Sequence, residues 1–459
     1  MPPILATVVY LAFIVWLLRR HAKDAEGVSR ALWIPFIWVG IRASRMVAFW
    51  LASGSAASSS SDASDGNAID RNIDLILMAA AMVILARRRI DWPVVTRECR
   101  WLIIFYLYLL LSTLWSDYTF ISFKRWVRDV GDVVMVLVIL TEADPIEAFR
   151  WVLLRVAYVL VPLSALFVKY YPDLGRYYNE WTWETGYCGA TNNKNSLGLL
   201  AMWSGLLLLW QIMDVYRRRG RSMTLRLLWP DLLVLSMSLW LLSLAQSSTS
   251  LACFILGVVI LFGSRLQMAK ANLKNVEWCF AGIAAVMLIM TLNPGFRGAI
   301  AGTFGRDADL TNRTEIWDWA LHLGTNPLFG SGFSSTLLTF SNEPLVAQSH
   351  LSHVHNGYLQ TYVDSGMIGV CLLLAILYSA GRNAVKQLSG HSAFGHLFLA
   401  LFFSCLFYNY TEVAFDRSNT VGFLIWIMAA YGVAANAPFL QKEVTEKLAD
   451  DCAPMANGI

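Results

Sequence analysis

The chain has 459 residues, of which 57% are hydrophobic and only 15% charged. Soluble domains carry about 25% charged residues, so this composition excludes an ordinary globular protein and points into a bilayer. The net charge of +4 is spread over loops, which leaves no case for nucleic-acid binding.

A spanning helix needs about 20 mostly apolar residues, because the hydrocarbon core is about 30 Å thick and offers the backbone no hydrogen-bond partners. In chain order the candidate spans are 3–18, 31–51, 69–86, 101–116, 121–140, 150–168, 196–213, 226–245, 249–263, 276–293, 355–380, 396–411 and 420–436. The expected fold is therefore all-α and polytopic, with about 12–14 transmembrane helices and thirteen favoured. Residues 3–18 lack a preceding basic region and a small-residue cleavage site, so they read as a retained span. The seven cysteines are scattered without a C-x-x-C pair, which argues against a disulfide framework or a zinc site.

Lys and Arg concentrate in one alternate set of loops, which includes Arg19-Arg20, Arg87-Arg88-Arg89 and Arg217-Arg218-Arg219. That set is expected in the cytoplasm, placing the N-terminus outside and the C-terminus inside. The organisation then reads as N-terminal spans with a Ser-rich outward linker (1–99) and a membrane core with an outward loop at 169–195 (100–293). A long outward loop (294–354), C-terminal spans (355–436) and a cytoplasmic tail (437–459) complete it.

The long loop and the start of the next span hold His322, His350, His353 and His355, four of the seven histidines, together with Arg313. Arg313 is either a solvated charge, paired with Asp309, Glu315 or Asp318, or a guanidinium fork suited to pyrophosphate. His355, in His355-Asn356-Gly357-Tyr358, is either a hydrogen-bonded helix-terminal residue or a general base for a sugar hydroxyl. The spacing of His350, His353 and His355 also allows a metal site, but with no nearby acid no metal is expected. Asp307-Ala308-Asp309 is taken as a coincidental D-x-D. A helix is expected over 314–323, followed by a turn at 326–332.

Elsewhere, Arg125, Arg128, Asp129 and Asp132 share one span, where i,i+4 pairing competes with phosphate recognition. Arg42 and Arg45 lack an obvious acidic mate. In Asn192-Asn193-Lys194-Asn195-Ser196, either Asn195 or Ser196 can be the N-cap, and Lys194 at a helix N-terminus favours an anion.

Three stretches together carry a family likeness. They are Thr191-Asn192-Asn193-Lys194-Asn195-Ser196-Leu197-Gly198; Leu310-Thr311-Asn312-Arg313-Thr314-Glu315-Ile316-Trp317 running into Asn326-Pro327-Leu328-Phe329-Gly330-Ser331-Gly332; and His355-Asn356-Gly357-Tyr358-Leu359 leading to Gly366-Met367-Ile368-Gly369. Over about residues 100–435 the chain resembles the O-antigen ligase/polymerase superfamily, on its exopolysaccharide-polymerase (ExoQ-like) branch.

The resemblance implies a GT-C-like glycosyltransferase of the bacterial inner membrane, with a large periplasmic loop between late spans. Such a protein joins undecaprenyl-pyrophosphate-linked oligosaccharide repeats, inverting the anomeric centre with no metal or cofactor. Its implied partners are the lipid-linked donor, a glycan acceptor and membrane lipid, with a flippase and a chain-length regulator as candidates. Arg313 and His355 are the implied catalytic residues; Lys194, Asn195, Arg125, Arg128, Asn356 and His353 are the candidate substrate-binding residues.

Two departures favour a polymerase over a ligase acting on lipid A or a protein. Gln246-Ser247-Ser248-Thr249-Ser250 lacks the arginine that ligases tend to place after Ser-x-Ser, and Asn193 stands where they commonly have histidine. The remaining alternative is a non-catalytic polysaccharide transporter. It predicts inverted repeats, and no clear repeat is found.

Overall fold

The computed structural model describes residues 1–24, 28–51, 67–178, 185–219, 225–265, 313–343, 345–346, 351, 353–389, 393–415 and 419–435, with the isolated residues Gly282 and Ile289. The expected span at 276–293, the Ser-rich linker, His350, Asp307, Asp309 and the C-terminal tail lie outside them or nearly so.

The described residues are almost wholly helical. In chain order they form α1 (Pro3–Asp24), α2 (Trp33–Arg42), α3 (Val47–Leu51), α4 (Ala68–Arg87), α5 (Trp92–Glu98), α6 (Arg100–Ser112), α7 (Thr119–Leu140), α8 (Pro145–Tyr170) and the single turn α9 (Pro172–Gly175). The antiparallel pair β1 (Arg176–Tyr178) and β2 (Thr185–Tyr187) follows. Then come α10 (Lys194–Arg219), α11 (Leu225–Ala245), α12 (Ser248–Gly263), α13 (Arg313–Leu321), α14 (Thr336–Thr339), α15 (Gly357–Ser389), α16 (Ala393–Thr411), α17 (Thr420–Ala430) and the short α18 (Gly432–Ala435).

Six of these helices are long and apolar enough to cross a membrane: α1, α8, α10, α11, α15 and α16. Three shorter apolar ones begin at Arg100, Ser248 and Thr420. Helices apolar on every side belong at the centre of a bundle. Accordingly α16 and α8 are buried along nearly their whole length and every residue of α17 is buried, whereas α1 lies at the edge. The outer surface carries exposed Ile76, Leu114, Phe120 and Val259, the apolar exterior that a hydrocarbon surround requires.

Two expected spans differ in form. Residues 31–51 are not one helix: the chain breaks after Arg42, and Arg45 turns inward. The Arg45 Nε donates to the Thr191 carbonyl (2.8 Å), and its guanidinium lies 4.4 Å from the Phe49 ring. Arg42, expected to lack an acidic mate, pairs with Asp74 of α4 at 2.9 Å and lies over the Trp38 ring.

The second break is in α15, at Gly366, whose φ of 64° and ψ of −168° only glycine adopts readily. The break exposes backbone groups that the turn at 326–332 satisfies. The Ser331 and Gly332 N–H groups donate to the Val363 and Asp364 carbonyls, and Met367 N–H donates to Pro327 (all 2.9 Å). Asp364 adds a carboxylate that accepts from the Thr336 hydroxyl and from Gln360 Nε2 at 2.8 Å. The Asn-Pro-Leu-Phe-Gly-Ser-Gly motif is thus a clasp that seats the stretch after α13 on a broken helix.

A methyl group at Gly366 would fall on the Leu328 backbone. Gly366→Ala is therefore expected to lower stability by about 2 kcal/mol or more, from backbone strain plus that overlap. A reduced thermal transition of the detergent-solubilised protein is the readout.

Candidate active site

Glu412 follows the last residue of α16 and lies just outside the span, with its side chain only 8% exposed. Its Oε1 accepts from Arg313 Nη2 at 2.6 Å and from Asn195 Nδ2 at 2.8 Å. Its Oε2 lies 3.4 Å from His355 Nδ1 and 3.7 Å from His353 Nε2. Groups from α10, α13 and the approach to α15 therefore meet on one carboxylate. Burial works to raise the Glu412 pKa, but the hydrogen bonds from His353 and His355 and the charge of Arg313 outweigh it. Together they hold the carboxyl well below the usual carboxylate range.

Each partner is positioned by packing that the local sequence explains. Along α13, Ile316, Trp317 and Ala320 share one face and pack with Val354, Val363 and Tyr410. Trp317 Nε1 donates to the Val354 carbonyl at 3.0 Å, which ties α13 to the histidine segment. At the head of α13, Arg313 donates a second bond to the Thr411 carbonyl, beside the carboxylate it binds.

His355 has φ of 53°, in a region that non-glycine residues occupy only under strain. Its neighbours fix it there. Val354 N–H donates to Gln360 Oε1 (3.1 Å), Asn356 Oδ1 accepts from Tyr358 and Leu359 N–H (both 3.1 Å), and Gly357 N–H donates to the Glu412 carbonyl (3.2 Å). Gly357 packs so tightly on Asn409 that no larger residue fits. Asn356 is thus the cap of α15.

A cavity of about 180 Å³ opens beside this cluster, lined by His353, His355, Glu412, Asn195, Tyr408 and Arg42 among others. Of the candidate site residues, His353, His355 and Asn195 line this cavity, while Arg313 stands behind Glu412 and is not part of its wall. Lys194 opens α10 but does not line the cavity, and neither do Asn356, Arg125 or Arg128. Arg125 donates to the Ser334 hydroxyl (3.1 Å), while Arg128 approaches its neighbour Asp129 (3.4 Å). Asp132, the expected mate of Arg128, accepts from Trp38 Nε1 at 2.6 Å. The N-cap of α10 is neither Asn195 nor Ser196: Asn193 Oδ1 accepts from Ser196 N–H at 2.9 Å, which frees Asn195 for Glu412. His322 is exposed and contacts Asp318.

The sequence reading missed Glu412 and left Arg42 unexplained. Glu412 carries no motif; its one signal is a lone carboxylate where an apolar run meets the surface. His353, His355 and Glu412 offer donor atoms within 4.8 Å of one another, a two-histidine, one-carboxylate set able to hold a divalent cation. Arg313 already neutralises that carboxylate, and its fixed positive charge 2.6 Å from Oε1 opposes a second cation there.

The profile of the O-antigen ligase family matches residues 232–374, a stretch that includes Arg313, His353 and His355. The exopolysaccharide production protein ExoQ of Rhizobium meliloti (strain 1021) is 26% identical over 303 residues. That alignment covers 63% of this chain and 66% of ExoQ, just under two thirds of its length. The likeness to the O-antigen ligase/polymerase superfamily, on the ExoQ-like branch, is shown. Glu412 falls outside the profile match to the O-antigen ligase family, beyond its C-terminal limit at residue 374.

Glu412→Gln is expected to destabilise the protein by about 3–5 kcal/mol at neutral pH, because it leaves the Arg313 charge buried without its counter-ion. The native pKa lies below the unfolded value of about 4.3, so the carboxylate's contribution is complete above that pH and is lost as pH falls through the native value. The gap between wild type and Glu412→Gln should hold from pH 7 to 5 and narrow below about 4. Thermal unfolding across that range is the measurement.

Proposed function

We propose that this chain is a glycosyltransferase that joins undecaprenyl-pyrophosphate-linked oligosaccharide repeats into exopolysaccharide at the periplasmic face of the inner membrane. The observation that carries the reading is the Glu412 carboxylate bound to His355 Nδ1 beside a cavity at one end of the bundle. A carboxylate on Nδ1 fixes the tautomer whose Nε2 accepts a proton, as in other carboxylate–histidine pairs.

In this mechanism His355 Nε2 takes the proton of the acceptor hydroxyl. The oxygen attacks the anomeric carbon, and the bond from that carbon to the pyrophosphate oxygen breaks with inversion. Undecaprenyl pyrophosphate leaves with the bonding electron pair, and its departure drives the reaction without a nucleotide. Glu412 stabilises the imidazolium that forms, and Arg313 positions Glu412.

The sequence reading gave Arg313 the pyrophosphate itself. Both of its Nη groups are committed, to Glu412 and the Thr411 carbonyl, so the leaving group falls instead to Arg42. Arg42 lines the cavity with its Nη2 paired to Asp74 and its side chain almost wholly buried, so it acts on the leaving group through its charge and not as a direct contact. Positive charge aimed at the departing pyrophosphate stabilises the transition state. Lys194, at the head of α10, adds to the same field.

The test is reconstitution of purified protein in liposomes with a synthetic lipid-linked repeat, products being resolved by gel. His355→Ala should cut the elongation rate by about 100-fold or more with normal insertion. Arg313→Lys should recover only part of the activity lost in Arg313→Ala, since an ammonium cannot bridge the carboxylate and carbonyl as a guanidinium does. Wild-type chain lengths from His355→Ala would reject it as the base, and no elongation by the wild-type protein would favour a transporter. The ligase alternative, suggested by the family's own description, separates in a null strain. Loss of a polymerase leaves single repeats, whereas loss of a ligase leaves long chains on the carrier.

A further inference from the structure

A second cavity, of about 220 Å³, lies at the other end of the bundle, between the end of α5, the start of α6 and the last turns of α15. At about 1.5 Å per residue, the part of α15 beyond its break at Gly366 runs roughly 29 Å from Met367 to Lys386 here, about the thickness of a hydrocarbon core. Arg97, Arg100, Arg382 and Lys386 line the cavity. Glu98 is the one acid among its described lining residues, and it is engaged by Arg97 at 3.1 Å. A bias of Lys and Arg toward one membrane face calls for cations in loops, but not for cations from two distant segments around one hollow.

The exposed face of α15 leads into this cavity in a graded order. Leu374, Tyr378, Arg382 and Lys386 recur every fourth residue, so they form one stripe along the helix. Leu374 is 53% exposed, Tyr378 63%, and Arg382 and Lys386 are exposed as well. Apolar, aromatic and cationic side chains therefore succeed one another from the middle of the helix to its end. The buried Asn383 does not compete, since its amide donates to the Met428 and Ala429 carbonyls at the end of α17.

We propose that this cavity binds the phosphate headgroup of an anionic glycerophospholipid. Arg100, Arg382 and Lys386 surround the phosphate, while Tyr378 and Leu374 flank an acyl chain. Basic pockets between spans attract such headgroups, and guanidinium forks match phosphate oxygens. None of these residues belongs to the glycan-transfer cluster, so the inference stands or falls separately from that function.

The full chain, purified in a neutral detergent, is titrated with dioleoyl-phosphatidylglycerol, dioleoyl-phosphatidylcholine or inorganic phosphate. Bound lipid is counted by native mass spectrometry, and the thermal transition is followed in parallel. Phosphatidylglycerol should be retained over phosphatidylcholine, and Arg100→Gln with Arg382→Gln should weaken its retention by about tenfold or more. Should that double variant fail to insert, Lys386→Gln, on an exposed last turn, should show a smaller loss in the same direction. Equal retention of the two lipids, or no change in the variants, overturns the proposal. Inorganic phosphate alone stabilising the wild type as strongly as phosphatidylglycerol, with that gain lost in the variants, assigns the pocket to a soluble phosphate and overturns the lipid.

Discussion

A carboxylate withdrawn from water at the rim of a membrane protein is costly unless several groups neutralise and hydrogen-bond it. Glu412 meets that requirement by recruiting Arg313, Asn195, His353 and His355, which are far apart in sequence. The constraint also runs in reverse. Arg313 fixes the end of α16 through both the carboxylate and the Thr411 carbonyl, and Asn195 fixes the head of α10. The imidazoles are held where the segment before α15 passes the same point. One ion therefore sets the relative placement of four chain segments, and the catalytic reading inherits its geometry from that charge balance.

The scaffold that lets this happen is the break in α15. A continuous helix would offer its backbone groups only to itself, leaving nothing for the turn after α13 to grip. With the ladder interrupted at Gly366, the turn at 326–332 supplies replacement bonds, and Tyr108 of α6 donates to the Ser365 carbonyl at 2.7 Å. The clasp fixes one end of the segment between α13 and α15. Trp317, bonded to Val354, fixes the other. His353 and His355 lie just before a helix held at both points, which is why a strained φ persists at His355.

Much of this was legible in the sequence, and the failures have physical causes. The apolar runs located α8, α10, α15 and α16, since length and hydropathy suffice for a span, but they ended α10 and α15 six and nine residues early and did not show the break at Gly366. The helix expected at 314–323 occurs at Arg313–Leu321, and the turn at 326–332 is present. The family motifs brought Arg313 and His355 to one place. Spacing could not show that Arg313 would be taken by Glu412, because that contact joins residues 99 positions apart. Nor could it show that Arg45 would break a predicted span to hold the Thr191 carbonyl, or that Asp74 would answer Arg42 from another helix. Long-range ion pairs leave no periodic trace, whereas helix faces do.

The same contacts bear on the arginine absent from 246–250. The resemblance leads one to expect, in ligases, an arginine at the start of the span that corresponds to α12 here. In this chain that start is a serine-rich turn: Gln246 takes a positive φ of 47°, and Thr249 accepts from the Thr411 hydroxyl at 2.9 Å. The turn thus supports the residue preceding Glu412 instead of facing a phosphate. An arginine on the same turn would add a second cation close to Arg313, where one carboxylate already balances one guanidinium. Arg42 approaches the cavity from α2 with Asp74 as its own counter-ion, so it brings positive charge without unbalancing Glu412. The serine-rich turn at the head of α12 and the Arg42–Asp74 pair are thus compatible with the single Arg313–Glu412 charge balance between them.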